Sequence, residues 1–298
     1  MSVVEYYPFN GSKDRLRLGL SLIPASEWIQ YEDDFSDRIL EKKYLIREQH
    51  NRVIQCVDGS AAAQNELLQN IVSYISKYKE DIFTVTEKTV NSHADNHEYE
   101  FSKYESNPLE LVSYLVPDDF CLLEKFNDDY RLIAASVCNP TYWELSEKVG
   151  HPLKNIHSPI PNLENKIGRM IRHFFANLKV DDYFQRANWF LMTTPELPLF
   201  KDSFNQSSET ENLNIDNIGE KLFLRSERQS FRKLPKTENI AFGIKIYVAP
   251  LNIVKQYSAI AEDLIIAINT MSVEQKQLLG INSYENLLEE YLHKVLLN

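Results

Sequence analysis

The sequence predicts an α+β fold in which helices at both ends of the chain surround a central antiparallel sheet, and three patterns indicate it. Apolar residues recur with helical spacing towards both ends of the chain, whereas short strand-like stretches occupy its middle. The segments that connect these strands lack helical periodicity, which favours an antiparallel sheet. We expect one domain of 298 residues, with a helical lead-in over residues 1–100, a core over 101–250 and closing helices over 251–298.

The helical pattern is clearest over residues 62–78, where apolar side chains fall on one face and Ser60 is a suitable N-cap. A second helix is expected to begin after Asn162 and to carry an apolar stripe as far as Leu178. The chain from about residue 253 to residue 297 is helical by the same test, and a break is expected near Gly280.

Several stretches between these helices have the composition of strands. They cover residues 130–138, 184–192, 222–229 and 240–248. The last stretch alternates most cleanly, because its apolar residues fall on one face: Ile240, Phe242, Ile244, Ile246 and Val248. The polar tract over residues 201–217 is expected to be an exposed insertion between two strands.

The charge and the glycine pattern exclude some classes of function. A net charge of −11 and a pI near 5.2 argue against nucleic acid as a partner, because an acidic surface repels phosphate. The same charge favours cationic small molecules or a basic protein patch. Neither Gly-x-Gly-x-x-Gly nor Gly-x-x-x-x-Gly-Lys-Ser/Thr occurs, so the usual phosphate cradles of nucleotide cofactors are missing.

The cysteines and the apolar runs indicate a cytoplasmic protein. Cys56, Cys121 and Cys138 are widely spaced and odd in number, so they form no disulfide framework and cannot supply four thiolates to an iron–sulfur cluster. We expect them to be buried thiols. The longest apolar runs, such as Leu132–Val137, are too short to cross a bilayer. The N-terminus lacks the pattern of a secretory signal, and we expect no membrane partner.

Among the histidines, His157 is the best candidate for a metal ligand. His93 and His97 have a spacing that would suit a metal on a helix, but their polar surroundings indicate a loop. His157 lies within residues 150–161, where three prolines restrict the backbone. We therefore expect a stiff, extended segment that holds the imidazole in a fixed orientation, as an axial heme ligand requires. A structural histidine in a proline-rich turn is the alternative.

Two basic clusters are candidates for binding carboxylates. Arg186 lies in one strand, and residues 225–233 contain four basic residues and one glutamate. Strand alternation places Arg225, Glu227 and Gln229 on one face and Arg228 on the other. Arginine side chains suit carboxylates such as heme propionates. Ion pairs with surface acids are the alternative.

Taken in order, these segments resemble the heme-dependent oxidative N-demethylase family, whose oxygenase subunits remove methyl groups from small secondary amines. The resemblance covers about residues 6–250. It is carried by Tyr7–Pro8–Phe9, Arg17–Leu20, Trp28, Asp118–Leu123, Trp143, Glu147–Gly150, Pro152–Leu153, Ile156–Pro161, Arg186–Trp189, Arg225–Gln229, Arg232 and Leu234–Pro235. His151 departs from the basic residue that the family pattern has at this position.

The resemblance implies a PAS-like sheet that binds heme b, with His157 as the iron ligand and Glu227 as the catalytic residue. Some of four arginines would neutralise the heme propionates: Arg186, Arg225, Arg228 and Arg232. Electrons would come from NADPH through separate reductase subunits that carry flavin and an iron–sulfur cluster. With O2, the reaction would convert a substrate such as dimethylamine into a shorter amine and formaldehyde.

Two other functions use the same sequence features. A heme-PAS gas or redox sensor would use His157 in the same pocket without turnover. A family member that has lost heme would only scaffold its partner subunits. A Soret band would exclude the scaffold, and amine-dependent turnover with a reductase would exclude the sensor.

Overall fold

A computed structural model describes residues 18–160, 162–203, 210 and 212–297. Within them, ten strands form two antiparallel sheets. The strands are β1 (Ser21–Ile23), β2 (Ile54–Cys56), β3 (Phe83–Val85), β4 (Thr89–Ser92), β5 (His97–Glu100), β6 (Asp119–Phe126), β7 (Asp129–Ser136), β8 (Tyr183–Met192), β9 (Phe223–Lys233) and β10 (Ile240–Pro250). The helices are α1 (Phe35–Val53), α2 (Ala61–Tyr78), α3 (Pro108–Leu115), α4 (Leu153–Ile156), α5 (Arg169–Asn177), α6 (Ile218–Lys221), α7 (Ser258–Asn269), α8 (Val273–Leu278) and α9 (Glu285–Leu296).

The large sheet has seven strands in the order β1-β8-β9-β10-β6-β7-β2, and β3, β4 and β5 form a small second sheet. Strand alternation gives the large sheet two faces of different chemistry. The front face is the side of the sheet that carries Phe184, Arg186, Asn188 and Phe190 of β8, together with the residues paired to them. The back face is the opposite side.

The back face is sealed by apolar side chains and by a strap of main chain. Helices α1 to α3 share a core with the back of the sheet, and Trp28 at its centre is fully buried. Residues 27–32 form the strap, because the Arg228 guanidinium donates to the carbonyls of Glu27 and Trp28, at 2.6 and 3.0 Å. Lys245 donates to the carbonyl of Gln30 at 2.8 Å.

The helices α7 to α9 pack against the ends of β8 and β9 through Trp189, Leu191 and Leu224. They therefore share a core with the sheet, as the sequence predicted. Within the described residues, no helix is long and apolar enough to span a membrane.

One end of the front face is covered by a helical segment. Segment 143–178 connects β7 to β8 and packs there through α5. Phe174 and Phe175 lie 5.8 and 5.7 Å from the ring of Phe231, which stacks on Phe242 at 5.0 Å. Beyond this aromatic cluster, several front-face residues of the central strands are only partly buried: Arg186, Asn188, Glu227, Gln229 and Ile244.

The helix predictions are confirmed with small corrections. Helix α2 begins directly after Ser60, but the Ser60 hydroxyl donates to the Val57 carbonyl rather than capping the helix. The break at Gly280 is confirmed, since its φ of 68° is the left-handed conformation that glycine favours. A second break occurs before α8, where Ser272 forms a capping box with Gln275. The helix expected from Asn162 begins as a π-helical turn, Glu164–Gly168.

Other expectations need correction. Strand β9 continues to Lys233, four residues beyond the predicted end, because it pairs with β10 along its whole length. Cys56 is exposed on the edge strand β2, whereas Cys121 and Cys138 are buried as expected. His97 lies in β5 of a hairpin rather than in a loop. Of the insertion at 201–217, residues 204–209 and 211 lie outside the described residues, and the remainder connects β8 to β9.

Removal of the Arg228 side chain should destabilise the protein. Arg228 is fully buried, its Nη1 lies 4.0 Å from the carboxylate of the equally buried Asp118, and it holds the strap. Breaking a buried charge pair costs about 3–5 kcal/mol, because one charge stays buried without its partner. We expect a loss of about that size for Arg228→Gln in urea unfolding.

The matched control is Arg169→Gln, because Arg169 is exposed on α5. It should change the unfolding free energy by less than about 0.5 kcal/mol. Equal stability of the two variants would contradict the role given to the strap.

Candidate functional site

His157 is presented by a helical turn that is fixed to the edge of β7. It is the C-cap of α4, and its amide donates to the Leu153 carbonyl at 2.8 Å. The amide of Gly150 donates to the Leu132 carbonyl at 2.7 Å, and the Leu132 amide donates back to the His151 carbonyl at 3.2 Å. The Asp129 carboxylate accepts from the Lys154 amide at 3.1 Å, which fixes the first turn of α4.

The expectation of an extended segment around His157 is wrong. Pro152 has φ −63° and ψ 151° and stands just before the helix, where a proline costs no hydrogen bond. The turn then continues through His157, because the Ile160 amide donates to its carbonyl at 2.9 Å. Stiffness comes from helix α4 and its attachment to β7, and the restriction by Pro159 applies only to Ser158.

The environment of His157 keeps its imidazole neutral. Burial lowers the pKa of His157 to about 4. Lys148 is the nearby charge with the largest effect on this pKa and contributes to the lowering, and Arg186 acts in the same direction. Asp129 and Glu164 oppose them. A neutral imidazole at neutral pH has a nitrogen lone pair available to a metal.

The front face opposite His157 is a half-open floor of mixed chemistry. Arg186, Gln229 and Ile244 form one row across β8, β9 and β10, and Asn188 and Glu227 lie in the next row. All five side chains are partly buried. The charge of Arg186 on the floor lowers the pKa of His157 on segment 143–178, so the floor and this segment interact electrostatically. We call this floor, together with His157, the candidate site.

Glu227 is held in place on the floor by two neutral donors. The Thr141 hydroxyl donates to one carboxylate oxygen at 2.8 Å, and the Gln229 amide donates to the other at 3.3 Å. Thr141 in turn accepts from Nε of Arg225 at 3.0 Å. The next residue, Tyr142, has a left-handed backbone with φ 59°, a strained conformation that often marks functional sites.

The four arginines expected near heme lie in different environments. The guanidinium of Arg225 is buried and donates to the carbonyls of Asn139, Pro140, Glu196 and Leu197 as well as to Thr141. Burial lowers the pKa of Arg225 to about 10, so the side chain stays cationic.

The alternation predicted for β9 is confirmed, because Arg228 lies on the back face opposite Arg225 and Glu227. Arg232 is also on the back, 5.0 Å from the ring of Trp28. Arg186 is the member of the set that the structure brings towards His157.

The other candidate residues stay apart from this site. His151 is exposed, and only its backbone contributes to the attachment on β7. His93 bonds Thr84 at the small sheet, and the described residues contain no group of three or more metal-ligating side chains.

A family model described as "Haem-dependent oxidative N-demethylase, alpha subunit-like" matches residues 19–288. The chain belongs to this family. The match spans His157, Glu227 and all four arginines, and it confirms the resemblance seen in the sequence motifs. Of those motifs, Tyr7–Pro8–Phe9, Arg17 and Pro161 lie outside the described residues. The oxidative N-demethylase description is that of a heme-dependent oxidoreductase, and it names an alpha subunit.

The candidate site fits the cofactor that the N-demethylase family implies. A heme needs an axial ligand with a free lone pair, flat apolar contacts and cations for its propionates. His157 is neutral, and the half-covered floor offers Phe190, Ile244 and Val248. Arg186 supplies a positive charge on the same face. The chemistry of these residues therefore fits the heme that the family description implies.

Three residues of the site were given no role from the sequence. Lys148 is partly buried, lies 4.9 Å from the Trp143 ring and has the largest electrostatic effect on His157. Asp129 fixes α4, and Thr141 connects Arg225 with Glu227 across more than eighty residues of sequence. Sequence spacing gives no signal for such long-range contacts.

Acid should destabilise the heme-free protein through His157. The folded-state pKa of about 4 lies below the ordinary 6.5, so the unfolded chain binds a proton in this window that the folded chain does not. Stability is therefore present above pH 6.5 and is lost as the pH falls towards 4, by about 1–3 kcal/mol. Urea unfolding at pH 7 and pH 4.5 measures this loss.

The His157→Gln variant should lose less stability than wild type over the same interval. His151→Gln is the matched control, because the side chain of His151 is exposed and should leave the pH dependence unchanged. If all three proteins lose the same stability, the imidazole of His157 is not desolvated.

Proposed function

We propose that this chain is the heme-binding oxygenase subunit of an oxidative N-demethylase, acting on a small secondary amine such as dimethylamine. The observation that carries the proposal is the partly buried His157, whose segment packs on the same side of the sheet as the half-open floor in a chain of the matching family. Bound heme b would supply the chemistry by which O2 and two electrons oxidise the N-methyl group.

The order of the strands supports a PAS-like fold for the core. Strands β6, β7, β8, β9 and β10 lie in the order β7-β6-β10-β9-β8, and the helical segment 143–178 stands between the second and third of them. A five-stranded antiparallel sheet with a helical segment packed on one face agrees with the PAS-like core that the resemblance implies. We propose that the chain is one heme-binding domain of this kind and that it works in the cytoplasm.

His157 would ligate the heme iron. Its ring needs no deprotonation at neutral pH, because burial has already lowered its pKa to about 4. The attachment of α4 to β7 would hold the ring orientation, which a ligand requires. Arg186 would neutralise a propionate, since it lies on the floor beside His157, whereas Arg228 and Arg232 are engaged on the back face.

Glu227 would bind the substrate. A dimethylammonium ion carries one positive charge and two N–H donors. A carboxylate has about four acceptor positions, and Thr141 and Gln229 engage one on each oxygen. The remaining lone pairs would accept from the ammonium group, while Arg225 fixes the Thr141 hydroxyl that holds the carboxylate.

Replacement of His157 should abolish heme binding. We expect no stable Soret band in His157→Ala after expression with heme supplied, because the iron loses its protein ligand. His151→Ala should retain the band, since only the backbone of His151 contributes to the site. The reverse pattern would mean that His151 is the ligand.

Replacement of Glu227 should weaken amine binding and leave heme in place. A hydrogen bond to a charged group contributes about 1.5–3 kcal/mol, so we expect Glu227→Gln to raise KM for dimethylamine by about tenfold to a hundredfold. Glu98→Gln is the control, because Glu98 is exposed on the small sheet. An unchanged KM in Glu227→Gln would remove Glu227 from the substrate site.

Turnover should depend on a separate reductase. The heme-loaded chain alone should not oxidise dimethylamine with NADPH, because its sequence has no phosphate cradle and no cysteine set for an iron–sulfur cluster. Addition of a flavin and iron–sulfur reductase should produce formaldehyde, measured together with loss of the amine. A heme protein that no reductase supports in amine turnover would be a sensor.

A further inference from the structure

The exposed side of α5 is basic, although the protein is acidic. Lys166 of the preceding π-helical turn and Arg169, Met170 and His173 of α5 recur at helical spacing and are all exposed. Phe174 and Phe175 on the other side pack on the sheet. We call these four exposed residues the α5 surface. Met170 is 45% exposed and forms an apolar centre among the charges.

The charge of this region contrasts with the rest of the chain. Residues 154–179 contain five lysines and arginines and one acidic residue, Glu164, in a protein of net charge −11. Glu164 pairs with Arg172 at 2.7 Å, so this carboxylate is already matched by a charge beside the surface. Asp181 and Asp182 follow only after the helix has ended. A local excess of positive charge on an acidic protein selects partners with a negative patch.

The α5 surface also lies close to the candidate site. Phe174 on the inner side of α5 lies 5.8 Å from the ring of Phe231, and Phe231 occupies the front-face position of β9 next to Gln229 of the floor. One helix therefore separates this end of the floor from the exterior. Electron transfer needs such a short path, and weak electron-transfer complexes use small, charged interfaces.

We propose that the α5 surface is the docking site of the electron donor, a small redox protein whose cofactor is surrounded by carboxylates. This inference rests on the proposed function, because the donor would reduce the heme bound at the floor beside α5. Each reduced [2Fe–2S] centre gives up one electron to the ferric heme protein and returns to its oxidised form, so two such encounters supply one turnover. The positive charges of Lys166 and Arg169 steer the acidic donor to the helix, and Met170 makes the apolar contact.

The test uses the full heme-loaded chain and an acidic plant-type [2Fe–2S] ferredoxin, reduced photochemically. Stopped-flow absorbance follows reduction of the ferric protein at about 0.01 M ionic strength, where the screening length is about 30 Å. The variant is Lys166→Glu/Arg169→Glu, and the control is Lys88→Glu/Lys103→Glu. Lys88 and Lys103 are exposed on or beside the small sheet, and both double variants change the net charge equally.

We expect the α5 variant to lower the second-order rate with ferredoxin by about tenfold or more, and 0.5 M salt to lower the wild-type rate similarly. The control variant should stay within about twofold of wild type. Reduction by dithionite, which needs no docking, should be the same in all three proteins. The affinity of oxidised ferredoxin for the heme-free chain should likewise be lower in the α5 variant than in wild type and the control variant.

Three results would overturn the inference. Equal ferredoxin rates in the two double variants, with the Soret band and dithionite reduction intact, would remove the donor from α5 and leave the proposed function standing. Binding to phosphatidylglycerol vesicles that depends on Lys166 and Arg169, with no effect on ferredoxin, would make the surface a membrane contact. A wild-type chain that takes up no heme would overturn the proposed function and the docking site together.

Discussion

The position of the site depends on how Arg228 closes one face of the sheet. Its guanidinium reaches from the middle of β9 to the carbonyls of Glu27 and Trp28, with the buried Asp118 at 4.0 Å. The side chain thus fixes the strap across the back of the sheet. The described residues pack into a core on that side, and the partly buried front residues of β8, β9 and β10 form the floor.

The position of His157 depends on the part of the β7 edge that β2 leaves unpaired. Strand β2 pairs only with the end of β7, residues 134–136, and the earlier part of β7 instead receives the segment that begins at Gly150. Asp129 and Leu132 hold that segment, and His157 follows within one helical turn. The length of an edge strand therefore decides where the imidazole stands.

Much of the fold could be predicted from the sequence, because burial on one face produces periodic patterns, as in β10 and α2. The end of β9 could not, because Arg228 and Ser230 are polar residues that point into the sealed back face and break the alternation. The sequence motifs were enough to predict His157 as the iron ligand. Its pKa and the contacts of Thr141 could not be predicted, because they depend on residues far away in sequence. The four arginines lie on both faces of the sheet. Strand alternation predicted that Arg228 faces away from Arg225, but it could not show which face binds a ligand.

The most direct measurement is the position of iron in a crystal of the heme-loaded protein, located by anomalous diffraction at the iron edge. The account predicts one strong peak over the front face, within coordination distance of an imidazole nitrogen of His157, with Arg186 and Glu227 on the same side of the sheet. A peak bound to His151, or one on the back face beside Arg228 and Arg232, would contradict it.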